Sequence, residues 1–145
     1  MDGSFGLMVA KNNLATFLKL VVHDIEPKTM ELTPSAPVSA YFIRPNYSTN
    51  KTSVVASYPS DMPGALFVIF KAEETFKIIA DGMSAQEILI AFSRSRGGVD
   101  YQLTLDTSVE STAPDGKRTR SPKAGLEFLS CSQQLVTNLR SSLSP

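Results

Sequence analysis

Residues 65–71 read ALFVIFK, and this unbroken apolar run decides the class of fold. Turn-forming residues precede it, since residues 59–64 read PSDMPG. A short apolar run next to turn signals is typical of a strand that is buried on both faces of its sheet. We therefore predict a central β-strand here and look to the neighbouring segments for the strands that pair with it.

Several other segments alternate between apolar and polar side chains, which is the pattern of a half-buried strand. The clearest is 99–106, where Val99, Tyr101, Leu103 and Leu105 alternate with polar residues. Strands are also predicted at 5–11, 38–44, 52–58 and 76–80, with one edge strand around Met30 in a proline-rich loop. The strands at 38–44 and 52–58 are expected to form a hairpin.

Residues 14–25 fit two structures. Their apolar residues fall at helical spacing, and Asn13 is a suitable N-cap. The same residues also alternate, and Asn12-Asn13 tolerates the positive φ angles of a tight turn. The pair of valines at 21 and 22 favours the second reading, in which this segment is the second strand of a hairpin.

Residues 85–96 also fit two structures, and here the helix is favoured. Ser84 and Glu87 have the spacing of a capping box, and Gly97 can end a helix in the left-handed region. The alternation of Ile88, Ile90 and Phe92 leaves a strand as the alternative.

The C-terminal segment predicts a second helix. Ser121-Pro122 is a favourable helix start, and apolar residues then recur on one side as far as about Ser142. These residues are Phe128, Cys131, Leu135, Val136 and Leu139. Residues 110–121 before this helix are predicted to be a long exposed loop.

Together these elements predict an α+β fold: a mostly antiparallel sheet of six to seven strands, a C-terminal helix and one internal helix. A chain of 145 residues with 42% hydrophobic residues has the size and composition of one folded domain, and we assign residues 1–145 to a single domain. It is long enough to bury a core without a disulfide or a structural metal.

The charge balance bears on partners and on location. Fourteen basic and fourteen acidic residues give no net charge, so no overall field attracts nucleic acid or an anionic membrane. Charged residues are only 19%, while serine and threonine number 29, which slightly favours an exported protein, periplasmic or secreted, over a cytoplasmic one. Residues 1–25 do not have the pattern of a signal peptide, and no apolar run is long enough for a transmembrane helix.

The inventory of reactive side chains argues against most enzyme classes. The chain has one histidine, His23, and one cysteine, Cys131, so zinc sites built from these residues are disfavoured. Cys131 is expected to be a small buried residue without a catalytic role. Asp100 and Asp106 lie on one strand but about 20 Å apart, too far for a pair of catalytic carboxylates. Phosphate-binding and dinucleotide-binding motifs are absent, so no metal and no cofactor is predicted.

Basic residues cluster in two segments and form a tentative binding site. Some fall at the end of the predicted internal helix and the others in the predicted long loop. They are Arg94, Arg96, Lys117, Arg118 and Arg120, with Lys123 close behind. A favourable interaction with the helix dipole and a soluble loop explain the same residues without a ligand.

Two tripeptides beginning at Asn46 and Asn50 match the N-glycosylation pattern and predict an exposed turn. Because convergent titratable groups are lacking, a non-catalytic binding or assembly module is the favoured function, with a protein partner or self-association. Its expected surfaces are the 110–121 loop, the exposed side of the C-terminal helix and any unpaired sheet edge.

Two alternatives stay open. One is a carrier of a small apolar ligand, with a pocket between the sheet and the C-terminal helix that is lined by Phe67, Ile69, Phe92 and Phe128. The other is an enzyme that uses His23 or carboxylates from distant segments.

Overall fold

The computed structural model describes residues 1–10, 13–43 and 54–143, and these contain eleven strands and two helices. The bounds of the elements, in chain order, are β1 (Asp2–Ala10), β2 (Asn13–Val21), β3 (His23–Ile25), β4 (Leu32–Pro34), β5 (Ser39–Ile43), β6 (Val54–Pro59), β7 (Ala65–Lys71), α1 (Ala72–Ala85), β8 (Glu87–Ser93), β9 (Asp100–Asp106), β10 (Val109–Thr112), β11 (Arg118–Ser121) and α2 (Lys123–Leu143).

All strand pairs among the described residues are antiparallel, and they form four small sheets. A four-stranded sheet has the order β1-β2-β7-β6, and a three-stranded sheet has the order β5-β8-β9. The remaining strands make two short hairpins, β3–β4 and β10–β11. The predicted α+β class, with mostly antiparallel strands, a C-terminal helix and one internal helix, is confirmed, although the single sheet of six to seven strands is divided into four.

The core lies between the four-stranded sheet, the three-stranded sheet and α1. It consists of alternate residues from β2 and β7, of residues from β5 and β8, and of one side of α1. At its centre the ring of Phe42 packs against Phe70 at 5.2 Å between ring centroids and against Phe5 at 6.2 Å. Both sheets therefore contribute large aromatic side chains to one continuous apolar interior.

The internal helix was predicted in the wrong place. Residues 72–85 are helical, whereas 76–80 was predicted as a strand and 85–96 as the helix. The buried residues of α1 follow helical spacing, and Glu73 and Glu74 favour its first turn through the helix dipole. Ser84 is in the last turn, where its hydroxyl donates to the Ala80 carbonyl at 3.0 Å, so it does not cap a following helix.

The strand alternative for the following segment is the one that occurs. Gln86 adopts a left-handed conformation (φ 64°) that ends α1, and β8 begins at the next residue. Ile88, Ile90 and Phe92 then point into the core at alternate positions of β8. The alternation of apolar residues therefore predicted the structure of this segment correctly, whereas the capping-box spacing did not.

Three other expectations concern pairing. Residues 13–21 form β2 and pair with β1, as the favoured hairpin reading predicted. The predicted hairpin of 38–44 with 52–58 is wrong, because β5 pairs with β8 and β6 pairs with β7. The predicted 110–121 loop is instead the β10–β11 hairpin, which turns at Gly116 with φ 81°. The two glycosylation sequences lie outside the described residues.

The C-terminal helix is confirmed, but its buried side differs from the prediction. Phe128, Val136 and Leu139 are partly buried, as predicted. Cys131 and Leu135 are exposed, whereas Ser132 is buried. The buried side is centred about one residue further along the helix, so the prediction that Cys131 is buried is wrong.

Neither α1 nor α2 combines the length and the hydrophobicity that a membrane-spanning helix requires within the described residues.

Candidate binding face

The run 65–71 is β7, and it does lie in the interior of the four-stranded sheet, between β2 and β6. It is buried on one face only. Leu66, Val68 and Phe70 face the core, whereas Phe67 and Ile69 face the opposite way and stay partly exposed. Because the other sheet and α1 both pack on the first face, the second face of this sheet points to solvent with apolar side chains still on it.

We call this second surface the outer face, and the strand register defines its members. Alternate residues of each strand share one side of a sheet, and paired residues lie side by side. The outward residues are Ser4, Gly6 and Met8 of β1, Ala15, Phe17 and Lys19 of β2, Phe67, Ile69 and Lys71 of β7, and Ala56 and Tyr58 of β6.

Three aromatic rings cross the outer face in a stack. The rings of Phe17 and Phe67 lie nearly parallel with their centroids 5.4 Å apart, and Tyr58 stacks on the other side of Phe67 at 6.4 Å. Tyr58 is 47% exposed. Stacked rings on neighbouring strands stabilise one another, so the three rings form a fixed platform.

Gly6 accommodates the first ring of this stack. A Cβ atom at Gly6 would be 2.9 Å from the edge of the Phe17 ring, which is too close for carbon atoms. The absence of a side chain at this position of β1 therefore lets Phe17 lie against the sheet. The sequence analysis missed this face, because it predicted that residues 65–71 are buried on both sides of the sheet. Nothing in this apolar run or in the turn before it indicated that one side would stay exposed.

Charged residues lie at the two ends of the outer face. Lys19 and Asp61 form an ion pair at 3.5 Å, and Asp2 and Lys19 line the same hollow of about 170 Å³. The Ser60 hydroxyl, which donates to the carboxylate, and the nearby Lys19 lower the pKa of Asp61. Lys71 lies at the other end, beside Ala15. One end thus carries Asp2, Asp61 and Lys19, and the exposed Lys71 lies at the other end.

The predicted basic patch is divided by the structure. Arg94 follows β8, where it pairs with the Asp24 carboxylate and lies 5.4 Å from the centre of the Tyr101 ring. Hydrogen bonds from Ser35 and from Arg94 lower the pKa of Asp24. Arg96 lies in the exposed turn that follows. Both arginines lie near the start of β9, because Asp100, its first residue, pairs with Ser93, the last residue of β8.

The other basic residues lie at the far end of β9. Arg120 pairs with Asp106 at 2.6 Å, and Arg118 pairs with Glu110 at 3.2 Å. The Ser108 hydroxyl and amide, and then Arg120, lower the pKa of Asp106. Lys117, in the β10–β11 turn, belongs to this second group. The seven residues of β9 separate it from the group of Arg94 and Arg96 by about 20 Å. Ligand binding by these residues stays a prediction.

The expected ligand pocket is not assembled from its four residues. Phe67 and Ile69 are on the outer face of the four-stranded sheet, whereas Phe92 is in the core. The ring of Phe128 packs on that of Phe5, 6.0 Å between centroids, on the inner face of the four-stranded sheet. A different cleft, of about 340 Å³, lies between the start of β1 and the end of β9. Its lining includes Phe5, Met83 and Leu105.

The side chains considered for catalysis lie in different elements of the described structure. His23 lies in β3 opposite Pro34, and Asp100 and Asp106 occupy opposite ends of β9. Residues 1–10, 13–43 and 54–143 contain no group of three histidine, cysteine or acidic side chains that could hold a metal ion.

Asp100 instead accepts a hydrogen bond from the Tyr41 hydroxyl at 2.5 Å, and this contact predicts a dependence of stability on alkaline pH. Burial, and then the Asp100 carboxylate, raise the pKa of Tyr41 to about 12. A group whose pKa is higher in the folded state stabilises the fold below its unfolded pKa, here about 10, and loses that effect as pH rises through its folded pKa.

We therefore expect the free energy of unfolding to fall between about pH 10 and pH 12 by more in the natural protein than in Tyr41→Phe. Urea unfolding at a series of pH values measures this difference. Equal slopes for the two proteins over that interval would contradict the assignment.

No protein-family model, curated protein or solved structure matches this chain. The functional argument therefore depends on the chemistry of the surfaces described above.

Proposed function

We propose that this protein is a non-catalytic binding and assembly module, and that the outer face of the four-stranded sheet is the surface that binds another protein. The observation that carries the proposal is the stack of Phe17, Phe67 and Tyr58 on the solvent side of a sheet. A half-polar antiparallel sheet normally presents polar residues to water on that side.

The composition of the outer face supports this proposal. Aromatic residues and methionine are enriched in interface centres, and charged residues are depleted there and found at the rim. Here Phe17, Phe67, Tyr58 and Ile69 occupy the middle, while Lys19 and Lys71 lie towards the two ends. Rings already held by stacking lose little conformational entropy when a partner covers them.

The cleft between β1 and β9 supports one second candidate, a carrier of a small apolar ligand. Its volume of about 340 Å³ is at the lower end of the range for ligand pockets, and Phe5, Met83 and Leu105 give it apolar walls. The charged Asp2 and Asp106 also line it, so the cleft is less apolar than a fatty ligand requires.

The test compares the assembly state of the protein, purified gently from its own host, with that of two variants. Phe67→Ser changes the middle of the outer face, and Leu126→Ser changes an exposed leucine of α2, which is 55% exposed. We expect native mass spectrometry to show a second chain, of the same or of another kind, on the natural protein and on Leu126→Ser but not on Phe67→Ser.

Thermal unfolding of each variant controls for loss of folding, and Tyr58→Ser provides a second change on the same face at an edge strand. Loss of the second chain in Leu126→Ser alone would move the interface to α2 and contradict the proposal. A monomer that carries a small-molecule adduct would favour the carrier instead.

A further inference from the structure

β1 lies at an edge of the four-stranded sheet, and the hydrogen bonds of its neighbour show how its own backbone groups are directed. Just after β2, the amide of Val22 donates to the carbonyl of Gly64 at 2.9 Å, so Val22 directs its backbone toward β7. Successive residues of a strand direct these groups to opposite sides. Phe17, at an odd number of residues from Val22, therefore directs its backbone toward β1, where it lies opposite Gly6. Gly6 and every second residue of β1 are thus bonded to β2.

The residues of β1 that alternate with these direct their backbone groups away from β2, toward the edge of the sheet. They are Gly3, Phe5, Leu7 and Val9. The amide of Gly3 agrees with this direction, because it donates to the carboxylate of Asp2 at 2.8 Å. Within the described residues, β1 pairs with β2 alone. The amides and carbonyls of Phe5, Leu7 and Val9 therefore form a row of the kind that binds another strand.

This edge lacks the features that normally prevent a strand from pairing with another chain, namely charged side chains, proline and bulges. β1 has a single charged residue, Asp2, at its first position, and its register with β2 is continuous along its whole length. β6, at the other edge of the sheet, has a register shift near Val54 and ends at Pro59. β1 is therefore the edge of this sheet that is suited to strand addition.

The row of aromatic rings on the outer face ends at the same edge. It begins at Tyr58 of β6, continues through Phe67 of β7 and reaches Phe17 of β2. The far end of the Phe17 ring lies over Gly6, because a Cβ atom there would be only 2.9 Å from it. At β1 the row therefore continues over a glycine, and the Phe17 ring reaches toward the edge of the sheet.

A side chain on an added antiparallel strand can meet this ring. Gly6 is hydrogen-bonded to β2, so on its other side it would form a non-hydrogen-bonded pair, in which the two Cα atoms are only about 4.5 Å apart. An aromatic residue opposite a glycine can cover it and pack against the ring on the next strand. Such a residue would contact Phe17 and extend the row of rings beyond β1.

We infer that the partner is a different protein, which adds an extended and largely uncharged segment along β1 and places an aromatic side chain over Gly6. A second copy of this chain does not offer that contact, because the outward residues of its β1 are Ser4, Gly6 and Met8. The segment is uncharged because β1 presents no charged side chain between Gly3 and Ala10. This inference rests on the proposed function and states how the partner binds.

Amide hydrogen exchange with a synthetic peptide tests this edge on the natural protein. The peptide carries threonine on one side and valine on the other, with one phenylalanine in the middle of the threonine side. At about ten times its Kd, exchange of the Phe5, Leu7 and Val9 amides should slow roughly tenfold, because only the free protein exchanges there. The amides of Gly6 and Met8, which bond to β2, should change little. NMR measures each amide separately.

Two control peptides identify the contacts. In the first, the backbone nitrogens that face β1 are methylated, so its side chains are kept and its donors are lost. It should neither bind nor slow exchange. In the second, alanine replaces the phenylalanine, and the Kd should rise roughly twofold to tenfold because the contact with Phe17 is lost. An unchanged Kd for either control, or unchanged exchange with the parent peptide, would overturn the inference.

A pair of variants at the same edge tests the natural partner. Val9 is 46% exposed, and its amide points away from β2. Val9→Pro removes this donor, whereas Val9→Thr keeps it, and thermal unfolding checks the fold of both. In native mass spectrometry of protein purified gently from its host, the second chain should remain on Val9→Thr and fall at least about fivefold on Val9→Pro. The peptide experiment uses the natural protein and so does not depend on the folding of either variant.

The outcomes separate this inference from the proposed function. If Val9→Pro keeps the second chain while Phe67→Ser loses it, strand addition is wrong and the outer face still binds the partner. A second chain with the mass of this protein would support the proposed function and overturn the inference of a different partner. If the natural protein carries no second chain, both are overturned.

Discussion

Phe42→Ala should lower the free energy of unfolding by about 3–5 kcal/mol, the largest loss that we expect from a single side-chain truncation in this protein. Phe42 is fully buried, with 0% of its surface exposed, in the middle of β5. Its ring contacts those of Phe5 and Phe70, which belong to the four-stranded sheet. Truncation would remove the apolar contact between the two sheets and leave a cavity that neighbouring strands can fill only in part.

The measurement is equilibrium unfolding in urea, with the midpoint and the slope compared between variants. A change in midpoint at a constant slope reports a change in the stability of the native state. For a domain of this size, the predicted loss corresponds to a fall of about 10–15 °C in Tm.

Phe67→Ala is the matched control, because the same ring is removed from the outer face of the neighbouring sheet. Phe67 is only partly buried, so the loss should be about 1–2 kcal/mol, from the contacts with Phe17 and Tyr58. Equal losses at the two positions would mean that the outer face is covered in the monomer, and would contradict the account of the core given above.

The contrast between Phe42 and Phe67 also shows what the sequence could predict. Alternation identified β9, and the apolar run identified β7 as an interior strand of its sheet, because both patterns arise from local geometry. Which faces of β7 are covered depends on where α1 and the three-stranded sheet pack, and this is a matter of long-range topology. The candidate binding face was therefore beyond the reach of periodicity alone.

The region from residue 72 to residue 93 shows a different kind of failure. The segment 76–80 is short and apolar, and such a segment fits a strand or one turn of a buried helix equally well. Ser84 and Glu87 have capping-box spacing by coincidence, because the chain reverses at Gln86 with a positive φ that a glutamine rarely adopts. Tertiary packing of Ile88, Ile90 and Phe92 overrode the local capping signal.

The basic patch illustrates the same limit for sites. Arg94 and Arg120 are both near strands of the three-stranded sheet, but each has an acidic partner that comes from another part of the chain. Asp24 is seventy residues from Arg94 in sequence, so no local pattern could indicate their ion pair. A cluster of basic residues in sequence therefore did not predict a single cluster in space.

Gly64→Ala should lower the free energy of unfolding by about 2–4 kcal/mol, because two independent costs act at this position. Gly64 has a φ of 79°, in the left-handed region, where an L side chain costs about 1–2 kcal/mol. In addition, a Cβ atom there would be 2.6 Å from the carbonyl oxygen of Val22. The backbone must then shift, which weakens the bond from the Val22 amide to the Gly64 carbonyl, 2.9 Å long, and the bond from the Ser35 amide to the Val22 carbonyl, also 2.9 Å.

Gly97→Ala and Gly116→Ala separate these two costs. Both glycines have a similar positive φ, at 71° and 81°, but a Cβ atom at either would have no other atom within 4 Å. Each control should therefore lose only the conformational cost, about 1–2 kcal/mol of the free energy of unfolding. The additional loss in Gly64→Ala measures the close contact between the β6–β7 turn and the ends of β2 and β4. If urea unfolding gives the same loss for all three variants, the backbone accommodates a Cβ atom at position 64 without further cost, and the prediction for Gly64→Ala is wrong.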